Sequence, residues 1–266
     1  MNSYWPAICA YLTLGTAWKG PGPGDPWLRR LLGVTSVHTR LRSLHILKAL
    51  SEVQPFPGSV LELGFGEGYL LLWLARRHPG AQFTGWELDL SLVVKARARA
   101  RHLGLANLTL HAGDFAAGRD RPRFDLIYCA DVLEHVPEDE PLLGVLAQCL
   151  HPGARLIIHV PKRRSLQRRF LSRFQRHFEP GHVREEYTAV ELACKVAAAG
   201  LEIVKMEETF GPAGELAFEL NSLGWPHPTA DRVIRALTLP LVLPLGLLDL
   251  KPFRSRGNSL LLTAQK

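Results

Sequence analysis

Residues 60–68 read Val60-Leu-Glu-Leu-Gly-Phe-Gly-Glu-Gly68, and this stretch decides the fold. A short apolar run enters a turn with glycines at 64, 66 and 68, and a helical pattern starts at Tyr69. Glycines at a strand-to-helix turn allow positive φ and let the backbone approach a ligand closely. In an open α/β sheet that turn lies at the carboxyl edge of the strands, where ligands bind. The spacing is G-x-G-x-G rather than the dinucleotide G-x-G-x-x-G, and Glu62 stands near the strand end. A carboxylate there disfavours a pyrophosphate, and with it a nicotinamide dehydrogenase. It suits the ammonium of an amino-acid moiety, directly or through water. A glycine turn alone is equally compatible with a plain tight turn.

Outward from this turn, strands and helices alternate. The pattern predicts strands over 60–63, 81–86, 108–111, 124–129 and 155–160. Between them it predicts helices over 69–77, stopped by Pro79-Gly80, over 90–102, stopped by Gly104, and over 138–150, ended by Pro152-Gly153. Thr188 and Glu191 form a capping box that opens a helix closing at Gly200. Strands over 202–206 and 259–264 follow. Upstream, 36–50 reads as an amphipathic helix with Leu41, Leu44, Leu47 and Leu50 on its apolar side, behind a Gly/Pro loop at 20–26. This alternation predicts an α/β fold with a doubly wound, mostly parallel sheet. The expected division is an N-terminal extension and helix (1–57), a core (58–161), a basic segment (162–187) and the rest of the core (188–266), carrying an apolar insertion at about 207–256.

Two further strand ends carry polar chemistry. Glu87 ends the second strand about twenty residues after the glycine turn, where a carboxylate can accept from both hydroxyls of a ribose. Asp89 is the substitute, or else the cap of the next helix. At the third strand, Asp114 could accept from an adenine amino group and Phe115 could pack on the ring.

Taken in order, VLELGFGEG, GWELD, HAGDF, FDLIYCADVLEHVPE and LHPGARLIIHVP resemble the motif set of class I methyltransferases, across roughly residues 58–206. The run from Phe124 to His135 is similar to small-molecule methyltransferases, including the ubiquinone and menaquinone biosynthetic types. Gly181-His182-Val183-Arg184, with Tyr187-Thr188, resembles their post-sheet loop. The resemblance implies a seven-stranded sheet with an antiparallel last strand, S-adenosyl-L-methionine as donor and S-adenosyl-L-homocysteine as product. It implies Glu62, Gly64 and Gly66 at the methionine end, and Glu87 on the ribose with Leu88 beside it. Asp114 and Phe115 would meet the adenine, and Ala130 and Asp131 would border the donor. Phe65 departs from the small residue usual in the family, and its ring is expected to tighten the cofactor loop. Some quinone O-methyltransferases link acids of the 124–135 motif to a divalent metal; nothing in the spacing of Asp131 and Glu134 demands one.

Methyl transfer from a sulfonium is an in-line displacement in which the protein mainly aligns nucleophile and methyl. An oxygen or nitrogen acceptor can also need a base, and His135 and His182 are the candidates. The bland alternative has His135 packing locally and Glu134 structural.

The net charge of +7 is a local feature, because Lys162–His177 (KRRSLQRRFLSRFQRH) holds seven Lys and Arg and no acid. Leu166, Phe170, Phe174 and Phe178 recur every four residues within or beside it. If helical, 162–178 suits an anionic membrane interface. The alternatives are a stripe packed on the core with its arginines in water, or arginines gripping the phosphates of a lipid-linked or nucleotide-linked acceptor. Aromatics interleaved for RNA stacking are not evident, so nucleic acid is disfavoured as a partner. The apolar stretch 218–250 is expected to roof a greasy acceptor. Its most apolar part, 237–250, is short and carries two prolines, which argues against a transmembrane helix. The N-terminus lacks a basic region before its apolar residues, and the four scattered cysteines suit free thiols. The expectation is a cytoplasmic small-molecule methyltransferase, peripheral at the inner face of a membrane and acting on an oxygen of a lipid-like, quinone, sugar or secondary-metabolite acceptor. An RNA or protein methyltransferase, or a silent binding protein of the same fold, are the alternatives. Oligomeric state is not legible.

Overall fold

The computed structural model describes residues 5–14, 32–118, 121–163, 183, 186–224, 227–250 and 257–266. The basic run from Arg164 onward, His182 and the 20–26 loop lie outside the described residues.

Helix α1 (Trp5–Thr13) packs on α2 (Val37–Ser51). Then come β1 (Ser59–Leu63), α3 (Tyr69–Arg77), β2 (Gln82–Glu87), α4 (Leu90–His102), β3 (Leu108–Ala112) and β4 (Phe124–Ala130). A 3-10 turn, Leu133–His135, leads to α5 (Asp139–Gln148) and β5 (Leu150–Pro161). The remainder is α6 (Ala189–Ala198), β6 (Glu202–Thr209), α7 (Pro212–Asn221), α8 (Pro228–Leu247) and β7 (Ser259–Gln265). The strands form one seven-stranded sheet in the order β3-β2-β1-β4-β5-β7-β6. Strands β1 to β5 are parallel, and β7 runs antiparallel between β5 and β6. The order reverses between β1 and β4, so a crevice opens at their carboxyl ends.

Each strand feeds two cores, as period-two alternation requires. Val60, Phe83, Leu126, Tyr128 and Ile157 pack under α2, α3 and α4. Leu61, Leu63, Ile127, Cys129 and Ile158 pack under α5 and α6. The predicted leucines of α2 are all buried. Caps start the helices where the sequence places them. Ser36 Oγ accepts from Thr39 N, Asp89 Oδ1 from Ser91 N and Thr188 Oγ1 from Glu191 N. Asp89 is thus the cap of α4.

Two expectations are corrected. Helix α5 stops at Gln148, and Pro152-Gly153 lie inside β5. They form an irregularity in the ladder, where the register jumps from Leu150 opposite Phe124 to Arg155 opposite Leu126. Within the insertion the described residues past β6 are mostly helical, in α7 and α8, and the prolines inside α8 do not break it. Pro240 and Pro244 lie inside the twenty-residue α8, and Thr229–Leu250 is long and apolar enough to cross a membrane by length and composition.

Candidate active site

A cavity of about 450 Å³ opens over the carboxyl ends of β1 and β4. One wall comes from the start of α2 (Ser36, Thr39, Arg42, Ser43), the floor from Glu62, Phe65 and Ala130, and the far wall from Asp231, Arg232 and Arg235 of α8. Glu67, Tyr69 and Leu70 complete it.

The glycine turn shapes the floor. Gly64 has φ +69, and a Cβ there would collide with Val132 Cγ2. Gly66 has φ +55, and a Cβ there would meet nothing within 4 Å. No protein atom fills the space over Gly66. The turn is clamped from outside by α4, because Arg99 Nη2 donates to Glu67 Oε2 at 2.8 Å and Arg99 Nη1 to the Glu67 carbonyl at 2.9 Å. Phe65 turns inward. It is buried, and its ring would lie 2.7 Å from a Cβ on Gly85. The large side chain therefore packs the loop onto β2, and this chain pairs it with a glycine opposite.

Glu62 is buried, and Tyr128 Oη donates to its Oε2 at 2.8 Å. Burial pushes the Glu62 carboxyl up to about 8, against the lowering influence of Tyr128 and Arg42. A cation brought beside this carboxyl would favour its ionised form and displace the proton. Arg42 lines the same cavity and supplies the opposite sign. Together they fit the zwitterionic head of an amino acid.

Glu87 ends β2 as expected. Its Oε2 accepts from Gly66 N at 2.7 Å and its Oε1 from Asp89 N at 3.1 Å. The carboxylate is thereby fixed beside the glycine turn, with acceptor capacity left for a diol. Leu88 is 74 % exposed next to it. Asp114 is exposed, and its Oδ1 accepts from Ala116 N at 2.8 Å. Phe115, expected to meet an adenine, is buried, with its ring 5.2 Å from Trp86 in a T-shaped contact and the Arg121 guanidinium 5.3 Å from its centre.

Asp131 is a hub that the sequence indicates only as a donor neighbour. It follows Ala130 with φ +54, a left-handed backbone uncommon outside glycine. Its Oδ2 accepts from Arg42 Nη1 at 2.8 Å, and its Oδ1 lies 2.9 Å from His159 Nδ1. His159 Nε2 lies 3.1 Å from Thr209 Oγ1. Burial raises the Asp131 carboxyl, but Arg42 and His159 outweigh it and hold it well below the usual carboxylate range. His38 sits 3.9 Å from Asp131 Oδ2, and burial lowers its imidazole to about 4. Arg42, His159, Thr209 and His38 escaped the sequence reading because no local motif marks them. The separations from Asp131 to Arg42 and to His159 are 89 and 28 residues.

The structure does not bring His135 to the cavity. It is exposed on the 3-10 turn and does not line the cavity, to which Ala130 contributes. Glu134 is buried. His182 lies outside the described residues.

The methyltransferase-domain family matches residues 37–206. A ubiquinone biosynthesis O-methyltransferase of Xanthomonas axonopodis pv. citri (strain 306) is 28 % identical over 142 residues, 53 % of this chain and 54 % of that protein. One from Coxiella burnetii (strain Dugway 5J108-111) is 32 % identical over 124 residues, 44 % of this chain and 52 % of that protein. The matches to these two span about half the length of each relative. Among solved structures, the [4+2]-cyclase SpnF superposes with a TM-score of 0.59 at 18 % identity, covering 98 % of this chain and 93 % of that one, which is a likeness of fold. The family match runs through the glycine turn, Glu87 and the Asp131 hub and joins them to the sheet order; the chain belongs to the class I S-adenosylmethionine-dependent methyltransferases.

Proposed function

We propose that this chain transfers a methyl group from S-adenosyl-L-methionine to an oxygen of a small, lipid-like acceptor of the quinone class. The observation that carries the donor half is the presence of the buried Glu62 carboxyl and the Arg42 guanidinium in one cavity, beside the glycine turn. Glu62 would take the donor's ammonium, Arg42 its carboxylate and Glu87 the ribose hydroxyls. Asp131 and His159 would hold Arg42 in place. When bound, the donor supplies the activated methyl, and these residues align it by holding the rest of the molecule. The acceptor half is supported by the relatives, which are named ubiquinone biosynthesis O-methyltransferases. A quinone-like acceptor would be met at a membrane face, so a peripheral, cytoplasmic-side location belongs to the same proposal.

The fold alone does not specify methyl transfer, since a fold neighbour is a cyclase. Calorimetry with S-adenosyl-L-homocysteine and with NADH separates the readings. Binding of the first and not the second is expected, and Glu87→Ala should weaken it by about 1–3 kcal/mol, the scale of charged hydrogen bonds. Binding of NADH, or no binding of the homocysteine product, would sink the donor assignment. Donor binding without transfer of labelled methyl to a demethylated quinol would overturn the quinone-class acceptor.

A further inference from the structure

The start of α8 is held against the cavity by contacts at both of its ends. Towards its C-terminal end, the Tyr11 hydroxyl donates to the Leu243 carbonyl at 3.0 Å, and just past that end Asp249 Oδ2 lies 2.8 Å from His45 Nε2. Towards its start, the buried Asn221 joins it to α2. Asn221 Oδ1 accepts from Val37 N at 2.8 Å, and Asn221 Nδ2 donates to the Arg235 carbonyl at 3.2 Å. These contacts set the rotation of α8, and Asp231, Arg232 and Arg235 line the cavity. Residues three apart on a helix are neighbours on one face, so two guanidiniums share this wall.

The two are not engaged alike. Arg235 Nε lies 2.8 Å from Asp231 Oδ2, which braces the side chain and neutralises the one acid on this wall. Arg232 is exposed, and no described carboxylate pairs with it. The other charges on the lining are answered. Arg42 is met by Asp131, and Glu67 by Arg99. Glu62, pushed up to about 8, holds its proton in the empty site at neutral pH. A bound donor, with its ammonium, carboxylate and sulfonium, brings one net positive charge, and the ionised Glu62 offsets it. Arg232 is left over in both states. A guanidinium donates in parallel pairs to carboxylate or phosphate oxygens, so an uncompensated one beside a braced neighbour fits an anion.

We propose that the methyl acceptor carries an anionic group, a carboxylate or a phosphate, that seats on the Arg232 and Arg235 guanidiniums of α8. The proposal rests on the methyl-transfer reading for the cavity's use as a donor and acceptor site. The anionic group is held and does not react. The sulfur–methyl bond breaks, a bond forms from the methyl to another oxygen of the acceptor, and that hydroxyl's proton passes to water.

The test is calorimetry on the chain saturated with S-adenosyl-L-homocysteine, using paired probes that differ in charge: hydroxybenzoate against hydroxybenzamide, and phenyl phosphate against phenol. At least one anion should bind tenfold or more tighter than its neutral partner, and the better of the two tells a carboxylate site from a phosphate site. Arg232→Gln should abolish that preference, and Arg232→Lys should keep part of it, because the charge stays and the fork is lost. Both variants should keep the wild-type affinity for S-adenosyl-L-homocysteine. Anions that bind no better than their neutral partners, or an Arg232→Gln chain that keeps the preference, overturn the proposal. Failure of S-adenosyl-L-homocysteine to bind sinks the donor reading instead. The same pairs titrated into the empty chain then decide the anion site separately: a preference lost in Arg232→Gln supports it, and one lost only in Arg42→Gln overturns it.

Discussion

Glu62 concentrates the chemistry of the donor site in one titration. Its carboxyl is pushed up to about 8 by burial, so in the empty site it holds a proton at neutral pH. An ammonium needs the carboxylate, so donor binding must expel that proton below about pH 8. Affinity for S-adenosyl-L-homocysteine should therefore fall by up to tenfold per unit as pH drops from about 8 toward about 6.5, with close to one proton released on binding. Calorimetry in buffers of different ionisation enthalpy reads both. Glu62→Gln should flatten the profile, with its largest loss of affinity at high pH. The same acid bears on stability. Its folded value lies above the 4.5 of the free group, so its contribution is full below about pH 4.5 and is lost as pH rises through about 8. Glu62→Gln should melt higher than wild type above about pH 8, while binding donor worse. A variant that melts lower there, with an unchanged pH profile, would show that Glu62 is an ordinary core residue. Glu62 was legible because it sits inside the motif. Its partner Tyr128 lies on the neighbouring strand, 66 residues away, where no short pattern can point to it.

At the scale of elements, the strands and helices flanking the glycine turn were readable because caps, apolar period and glycine stops agree with one another. The failures came where tertiary pairing overrode a local signal. Pro152-Gly153 look like a helix stop, but Lys266 N and the Ala154 carbonyl, 3.1 Å apart, bind that stretch to the C-terminus and draw it into the sheet. Helix α2 was foreseen as amphipathic, yet its most consequential residue was not. Arg40 is buried against backbone carbonyls of the segment before it. Nε donates to Val34 at 2.5 Å, Nη2 to Leu32 at 2.6 Å and Nη1 to Tyr11. Burial lowers the guanidinium to about 10. This one side chain ties α1 and the entry to α2 to the rest of the fold, and a charge read from sequence suggests only a solvated face. Arg40→Met keeps the bulk and removes the donors, leaving buried carbonyls unmatched at about 1–3 kcal/mol each. A total loss of about 3 kcal/mol is expected, read as a lower denaturant midpoint with an unchanged slope. A loss below about 0.5 kcal/mol would mean that the carbonyls find water instead.

For the whole molecule, the order of elements was legible and the assembly of the cavity was not. Alternation of strand and helix predicts the doubly wound sheet, but periodicity does not say which face of an apolar insertion turns inward. The 218–250 stretch was expected to roof a greasy acceptor. Instead, the residues it gives the cavity are Asp231, Arg232 and Arg235, with Arg235 Nε 2.8 Å from Asp231 Oδ2, while its leucines face the core or the outside. The correction follows from the fastening of α8, since the Tyr11 and His45 contacts set its rotation. The cavity is thus closed by three pieces remote in sequence: the start of α2, the glycine turn and the start of α8. A ligand held among them must stabilise all three together. At a concentration of about 100 times its Kd, S-adenosyl-L-homocysteine should add about 2.7 kcal/mol. For a chain of this size that is a rise in melting temperature of roughly 5–10 °C. Hydrogen exchange should slow at the amides of α2 and of the first turns of α8 as well as in the 64–69 loop. Arg235→Ala should weaken the slowing in α8 while leaving that in the loop. Protection confined to the loop would place the donor on the β1 side alone, and would leave the α2 and α8 walls to the acceptor.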